Sequence, residues 1–359
     1  MQVDTTALRK ICSWPLFLAG CIGLVVVLRI DDYTWQPWAL TEGRPDFSPG
    51  HIIRSILICF SVSCALWSFV WGKRPRFSLA SDGAIPIERW SIILALGFSL
   101  LFACCFLISP PYFSTLSLED GPVEWGSALW VLAASLLFVL ACRKSRACGL
   151  GMIFQATCLL LAAVFFLIGM EEVSWFQRVV GYNTPEMLVN NAQHEANLHN
   201  FITSVFENGY YFGASLFLVV MPYVYQALPR LSQFRYLRLF VPRTFIALIG
   251  AIACAYNYDM WNIIFTQISF FSAVFILIVL AVYSEDRGER HLIVATLAVM
   301  FIAQAAFFFT GTRLVRLWET TEYKEFFIPM GFFLYSLDVL SRIKQTVTEG
   351  VTAPGKPGG

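Results

Sequence analysis

Charge is what this sequence has least of. Only 14% of its 359 residues are Asp, Glu, Lys or Arg, where soluble globular chains carry about 25%. That deficit excludes a solvated globular domain, and the near-neutral net charge of +1 leaves no basic patch for nucleic acid. A glycine-rich phosphate loop, an internal repeat, a C-x-x-C pair and an H-E-x-x-H motif are all missing as well, so nucleotide-loop and zinc-protease chemistry have no sequence signal. Strict alternation of apolar and polar residues is absent too, which excludes a membrane barrel. The ten cysteines are scattered and mostly fall in apolar runs. They read as small buried hydrophobes and not as a disulfide framework.

What is present is a succession of apolar runs of roughly 20 residues, the length that crosses a bilayer as helix. Backbone polar groups in lipid must be satisfied inside each segment, so these runs are expected to be helices. The fold class is therefore an all-α integral membrane protein. It is a bundle of about ten transmembrane helices with an interfacial helix at the outer face. The expected spans are 11–30, 52–72, 90–110, 123–142, 150–170, 208–228, 239–257, 261–283, 291–311 and 325–343. The first follows Arg9-Lys10 and resembles a signal peptide. Its length, and Asp31-Asp32-Tyr33 in place of a small-residue cleavage site, read as a retained span. Residues 1–346 form one polytopic domain, and 347–359 a disordered cytoplasmic tail rich in Pro and Gly.

With ten spans and both termini in the cytoplasm, 18 of the 25 basic residues fall on the inner side, as the positive-inside rule requires. Sixteen of the 24 acidic residues fall outside. The location expected is the bacterial inner membrane.

Between Leu150 and Tyr211 the chain sets more ionisable and amide side chains against an apolar run than anywhere else. An apolar helix there runs into Glu171-Glu172-Val173-Ser174-Trp175-Phe176-Gln177-Arg178. At about 1.5 Å per residue, Glu171 sits roughly 31 Å from the helix start, at the membrane boundary. A carboxylate there suits general acid or base work; the competing reading is an interfacial acid pair beside a belt tryptophan. After Gly181, Thr184 as N-cap and Pro185 at N1 start a surface helix. On it Asn191, Glu195 and His199 follow at i, i+4 spacing, with His194 and Asn197 alongside. A Glu one turn from a His can orient an imidazole base or share a metal with it. Ordinary polar residues on an amphipathic helix are the alternative. Glu119-Asp120-Gly121-Pro122 is helix-start grammar for the fourth span. Capping accounts for Asp120, whereas Glu124 enters the span and is a candidate for the site.

The first outer loop offers Asp31, Asp32, Glu42 and Asp46. An acid pair here is compatible with a GT-C-like glycosyltransferase, although a solvated turn is the better account. Asp338 is placed to pair with Arg342 one turn on. His51 and His291 stand at span entrances, as snorkelling groups.

The stretches EDGPVEW, GMEEVSWFQRVVGYNTPEM and NNAQHEANLHN together resemble a pattern of bacterial multi-pass membrane proteins of unassigned function. The matching residues are Glu171, Glu172, Ser174, Trp175, Gln177, Arg178, Thr184, Pro185, Glu186, Asn191, Gln193, Glu195, Asn197, Leu198, His199 and Asn200. Met170 departs from the glycine of that pattern. The resemblance covers about a quarter of the chain and implies a site without naming a reaction.

These readings point to a membrane-embedded hydrolase or transferase acting on a lipid or lipid-linked glycan at the outer face. Glu171, Glu172, Glu124, Glu195 and His199 are its candidate catalytic groups, with Arg178, Gln177, Trp175 and Asn200 as candidate substrate contacts. Whether a divalent metal takes part is left open, as is oligomeric state. The alternatives are the GT-C-like enzyme using Asp31 and Asp32, and a non-catalytic partner or transport component.

Overall fold

The structure is a computed structural model, and it describes residues 5–34, 42–73, 75, 77, 79, 87–184 and 203–352. Among the described residues it is all helix; the only extended pairing is an isolated bridge between Phe77 and Ser284. In chain order come α1 (Thr5–Thr34), α2 (Pro49–Val70), α3 (Ile87–Ile108), the short α4 (Pro110–Leu116) and α5 (Pro122–Ala147). They are followed by α6 (Met152–Glu172), the single turn α7 (Gln177–Val180), α8 (Thr203–Ser215), α9 (Met221–Ala227) and α10 (Arg235–Phe240). The last four are α11 (Thr244–Ala253), α12 (Ile264–Tyr283), α13 (Arg287–Thr310) and α14 (Glu319–Thr352).

Eight of these segments are long and apolar enough to cross a membrane: Ser13–Tyr33, Pro49–Val70, Ile87–Ile108, Pro122–Ala147, Met152–Glu172, Ile264–Tyr283, Arg287–Arg313 and Glu319–Ile343. Two expected spans take other forms. Residues 208–228 fall on α8, a π-helical turn Leu216–Val220, and α9. Pro222 has no N–H to give the carbonyl four residues back, and the wider turn just before it absorbs that loss. Residues 239–257 become the ten-residue α11, followed by a non-helical stretch, 254–263, that is buried almost throughout. Irregular backbone at membrane depth is tolerated only where protein surrounds it, and α12, α13 and α14 do so here. The expected interfacial helix around 184–200 lies outside the described residues. Helix α14 extends to Thr352, past the boundary at 346 drawn from the sequence.

Helix starts follow the expected grammar. Pro49, Pro110 and Pro122 occupy first-turn positions, and Asp286 caps α13 by accepting from the Glu289 N–H at 2.7 Å. Where helices touch, small residues let the backbones close in. A methyl group on Gly20 would stand 2.5 Å from the Ser61 carbonyl oxygen, so α1 and α2 meet at backbone distance.

The core is aromatic. Phe113 stacks on Tyr323 at 4.0 Å, and Phe106, Phe307, Tyr256 and Phe327 continue the cluster. It joins α3, α13, α14 and the 254–263 stretch.

Ion pairs then stitch each end. At the end holding the α2–α3 and α12–α13 connections, Arg243 reaches Glu88 (3.0 Å) and Asp338 (3.2 Å). The expected Asp338–Arg342 pair forms at 2.7 Å, and Arg342 also donates to the carbonyls of Arg238 and Val241. The opposite end carries the candidate site.

Candidate functional site

The two acidic motifs of the sequence meet through Arg178. Its guanidinium pairs with Glu119 at 2.5 Å and Asp120 at 3.1 Å, tying the turn after α6 to the start of α5. The reason α6 stops where it does is steric. Ser174, Trp175 and Phe176 have φ of 45°, 56° and 60°, three successive non-glycine residues in the left-handed region. Each costs about 1–2 kcal/mol, and such strain persists only where its surroundings enforce it. Here Trp175 Nε1 donates to Glu171 Oε1 (2.9 Å), Tyr182 Oη donates to the Trp175 carbonyl (3.2 Å), and Gln177 Nε2 donates to Thr184 Oγ1 (2.8 Å). Trp125 packs its ring against Phe176 across the junction with α5.

This reversal delivers Glu172 inward. Its Oε2 accepts from Ser127 Oγ of α5 at 3.0 Å, and it stands within electrostatic reach of Glu124 on α5 and of Glu322 and Glu325 on α14. Glu124 itself turns back to accept from the Asp120 backbone N–H at 2.5 Å. Glu325 accepts from Tyr211 Oη of α8. Tyr210, next to it, has a buried hydroxyl with no partner and feels both Glu172 and Glu325. Protein surrounds Glu172, yet the side chain retains accessible area. It is enclosed by protein without being sealed into the core.

A second acid group borders the first. Glu207, at the start of α8, has its pKa pushed up to about 8 by burial first and by the charges of Glu325, Glu42 and Asp259 next. Burial, then the Asp259 charge, raises Glu42. Asp259 is buried between Lys324 and the Thr321 hydroxyl. That hydroxyl donates to both Asp259 oxygens, at 3.0 and 3.1 Å. Lys324, 4% exposed, sits 4.8 Å above the Tyr211 ring.

Of the residues singled out from sequence, Glu124 and Glu172 are brought together. Glu171 turns to Trp175, Gln177 to Thr184, and Arg178 is held by two carboxylates. Glu195, His199 and Asn200 lie outside the described residues, as does His194. Among the described residues no group of three or more His, Cys, Asp or Glu side chains is arranged to hold a metal ion. The first-loop acids separate. Asp31, expected in a solvated turn, is 3% exposed and takes a bidentate pair from Arg54, both contacts 2.6 Å. Its carboxylate is thereby committed to joining α1 and α2. Asp46 accepts from the Ser48 backbone N–H, which holds its pKa down, and meets His51 at 3.0 Å.

Sequence reasoning passed over Glu207, Tyr210, Tyr211, Glu322, Lys324 and Glu325. The signal existed in Glu319, Glu322 and Glu325, spaced i, i+3, i+6 directly before an apolar run. Starting the last span at residue 325 turned them into an approach to the membrane. The helix begins at Glu319, so they occupy its first two turns.

No family model matches this sequence, and comparisons with curated proteins and with solved structures give no match either. The site is therefore defined by its own geometry alone. Among the described residues it is a cluster of acids with Tyr210, Tyr211 and Lys324 at one end of a membrane-type helical bundle.

Proposed function

We propose that the protein is a membrane-embedded hydrolase or transferase whose substrate is a lipid or lipid-linked glycan, entering at the outer face of a bacterial inner membrane. One observation carries this reading: Glu124, Glu172, Glu322 and Glu325 arrive from three helices distant in sequence and interact at one depth. Carboxyl groups within a membrane bundle mark functional positions by default, because leaving them there unused is costly. Carboxyls packed together divide into a proton donor and a base, the pairing that acid–base cleavage or transfer requires. In this reading Glu172, fixed by Ser127, is the base and a second carboxyl the acid, while His199 and Glu195 complete the site from the outer segment. Arg178 holds the site together and does not bind the substrate.

The same reading takes the chain across the membrane ten times with both termini in the cytoplasm. Two contacts support the crossings beyond the eight long helices. Gly43 N donates to Asp259 O at 2.7 Å, and Tyr223 Oη to Leu66 O at 2.9 Å, so 203–227 and 244–259 each connect opposite ends. The 18-to-7 division of basic residues fits that orientation. A transport component is the second reading, favoured by the interrupted crossing at 254–263, a device of ion-coupled carriers.

The test uses purified protein in vesicles containing phosphatidylethanolamine, phosphatidylglycerol and a polyisoprenyl-phosphate-linked sugar, with products followed by mass spectrometry. Wild type is expected to release or transfer a headgroup or sugar, and Glu172→Gln to lose at least 100-fold of that rate, the lower range for a general acid or base. Identical product profiles for the two proteins would remove the proposal.

A further inference from the structure

Next to the acid cluster lies a small cavity of ≈ 20 Å³. Its walls include Tyr211 of α8, Asn257 of the irregular stretch, Thr266 and Ser269 of α12, and Lys324 of α14. Asn257 is 1% exposed and uses its amide nitrogen on the Cys254 carbonyl and Gln304 Oε1, while its Oδ1 has no partner. Lys324 has the Tyr211 ring beneath it and no hydrogen bond or ion pair to any described residue. A lysine with no hydrogen bond among the described residues and an asparagine with a buried, unpartnered amide oxygen thus line one hollow. A buried water needs about 10–15 Å³ and two to four polar partners; this space supplies both.

The charged and titratable groups around Lys324 come from several sides. Glu207 and Tyr211 belong to α8, Cys254 and Asp259 to the irregular stretch, and Glu325 to α14 itself. Tyr211 links the cavity to the acid cluster, since it lines the cavity and donates its hydroxyl to Glu325. The carbonyl end of α11 closes near the same point, with Cys254 N bonded to Gly250 O and Ala251 O. Broken helices that present such an end to a small polar site are how ion- and proton-coupled carriers seat their coupling cation.

We propose that this cavity is a proton-exchange site, in which one bound water joins Lys324 Nζ to Asn257 Oδ1 and to Tyr211, so that Lys324 and Glu325 trade a proton. The ammonium of Lys324 gives a proton to the water, the water passes one to Tyr211 Oη, and Tyr211 gives its own to the Glu325 carboxylate. Lysine ends neutral and Glu325 protonated, while water and tyrosine are unchanged and the net charge of the pair is the same. The inference stands apart from the enzyme reading, because it needs no lipid substrate.

The experiment is infrared spectroscopy of the full chain in vesicles, following the carboxylic C=O stretch and its hydrogen–deuterium exchange. Glu325→Gln identifies the band by removing it. Tyr211→Phe keeps the ring under Lys324 but removes the relay, and is expected to slow deuterium exchange of that band at least tenfold. Thr266→Val, which makes one polar wall of the cavity apolar without touching the acids, is expected to slow it in the same direction. Lys324→Met is expected to move the band's titration up by about one to three pH units, the influence of a nearby opposite charge. Exchange at the wild-type rate in both Tyr211→Phe and Thr266→Val would overturn the proposal, even were Lys324→Met to fail to fold. An experimental map with the cavity dry and Lys324 Nζ bonded elsewhere would overturn it too.

Discussion

The pair between Asp31 and Arg54 gives the sharpest energetic prediction. Helix α1 packs chiefly on α2, and only 11% of its membrane-crossing window is buried. Its apolar surface gains little from association, since lipid chains solvate leucine as well as protein does. What attaches it is backbone closeness at Gly20 and one bidentate ion pair. The two side chains are 3% and 5% exposed, with both oxygens engaged at 2.6 Å. Two magnitudes compete. Interhelical hydrogen bonds in membranes average about 0.6 kcal/mol, whereas removing one partner of a buried ion pair costs about 3–5 kcal/mol. Arg54 already has a buried Nη1 without a partner, so the desolvation has been met and loss of Asp31 leaves a lone buried cation. The larger figure should hold. Arg54→Met and Asp31→Asn are each expected to cost about 3–5 kcal/mol, and the double variant distinctly less than their sum, because replacing both members is often near neutral. The assay is reversible unfolding in detergent micelles, run as a double-mutant cycle. Additive costs, or single costs below about 1 kcal/mol, would refute the staple. Retained function in the double variant would also remove Asp31 as a catalytic acid.

Two further outcomes follow from the same geometry. Glu207 has a pKa near 8 in the folded protein against an ordinary 4.5, so the native state holds the extra proton between those values and stability falls as pH rises through that window. Glu207→Gln should flatten the decline between pH 5 and 8 in a thermal-denaturation series, and an unchanged slope would refute it. Gly311 faces Tyr258 so closely that a methyl group would stand 2.2 Å from the ring. Gly311→Ala is expected to cost about 1–3 kcal/mol as overpacking, measured by the same unfolding assay, and a neutral result would mean that the ring moves freely.

Much of the fold was legible because bilayer thickness leaves apolar runs only one regular solution. The eight long helices follow those runs closely. What hydropathy could not show is where such a run stops being helical. The stretch Ala253-Cys254-Ala255-Tyr256-Asn257-Tyr258 is apolar enough to extend α11. It leaves the helix where Asn257 and Gln304 exchange amide hydrogen bonds and Tyr256 bonds Ser99, partners 47 and 157 residues away. The candidate site divides the same way. Glu124 and Glu172 stood out as acids at the mouth of an apolar run, and the structure joins them. The spacing of Glu319, Glu322 and Glu325 marked one face of α14, but which helices that face meets leaves no trace in one sequence. Arg178 stood as a candidate substrate contact, since nothing local reveals that Glu119 and Asp120 pair with it.

The interrupted segment at 254–263 also bears on how the chain is made. The nascent run 239–257 is long and apolar enough to enter the membrane, yet its irregular end leaves peptide groups exposed until α12, α13 and α14 surround it. Biosynthesis must therefore hold this part in a sheltered, unfinished state while a further ninety or so residues emerge. Ribosome-stalled chains ending before Glu319 should leave it open to protease, and those ending after Ile343 should not.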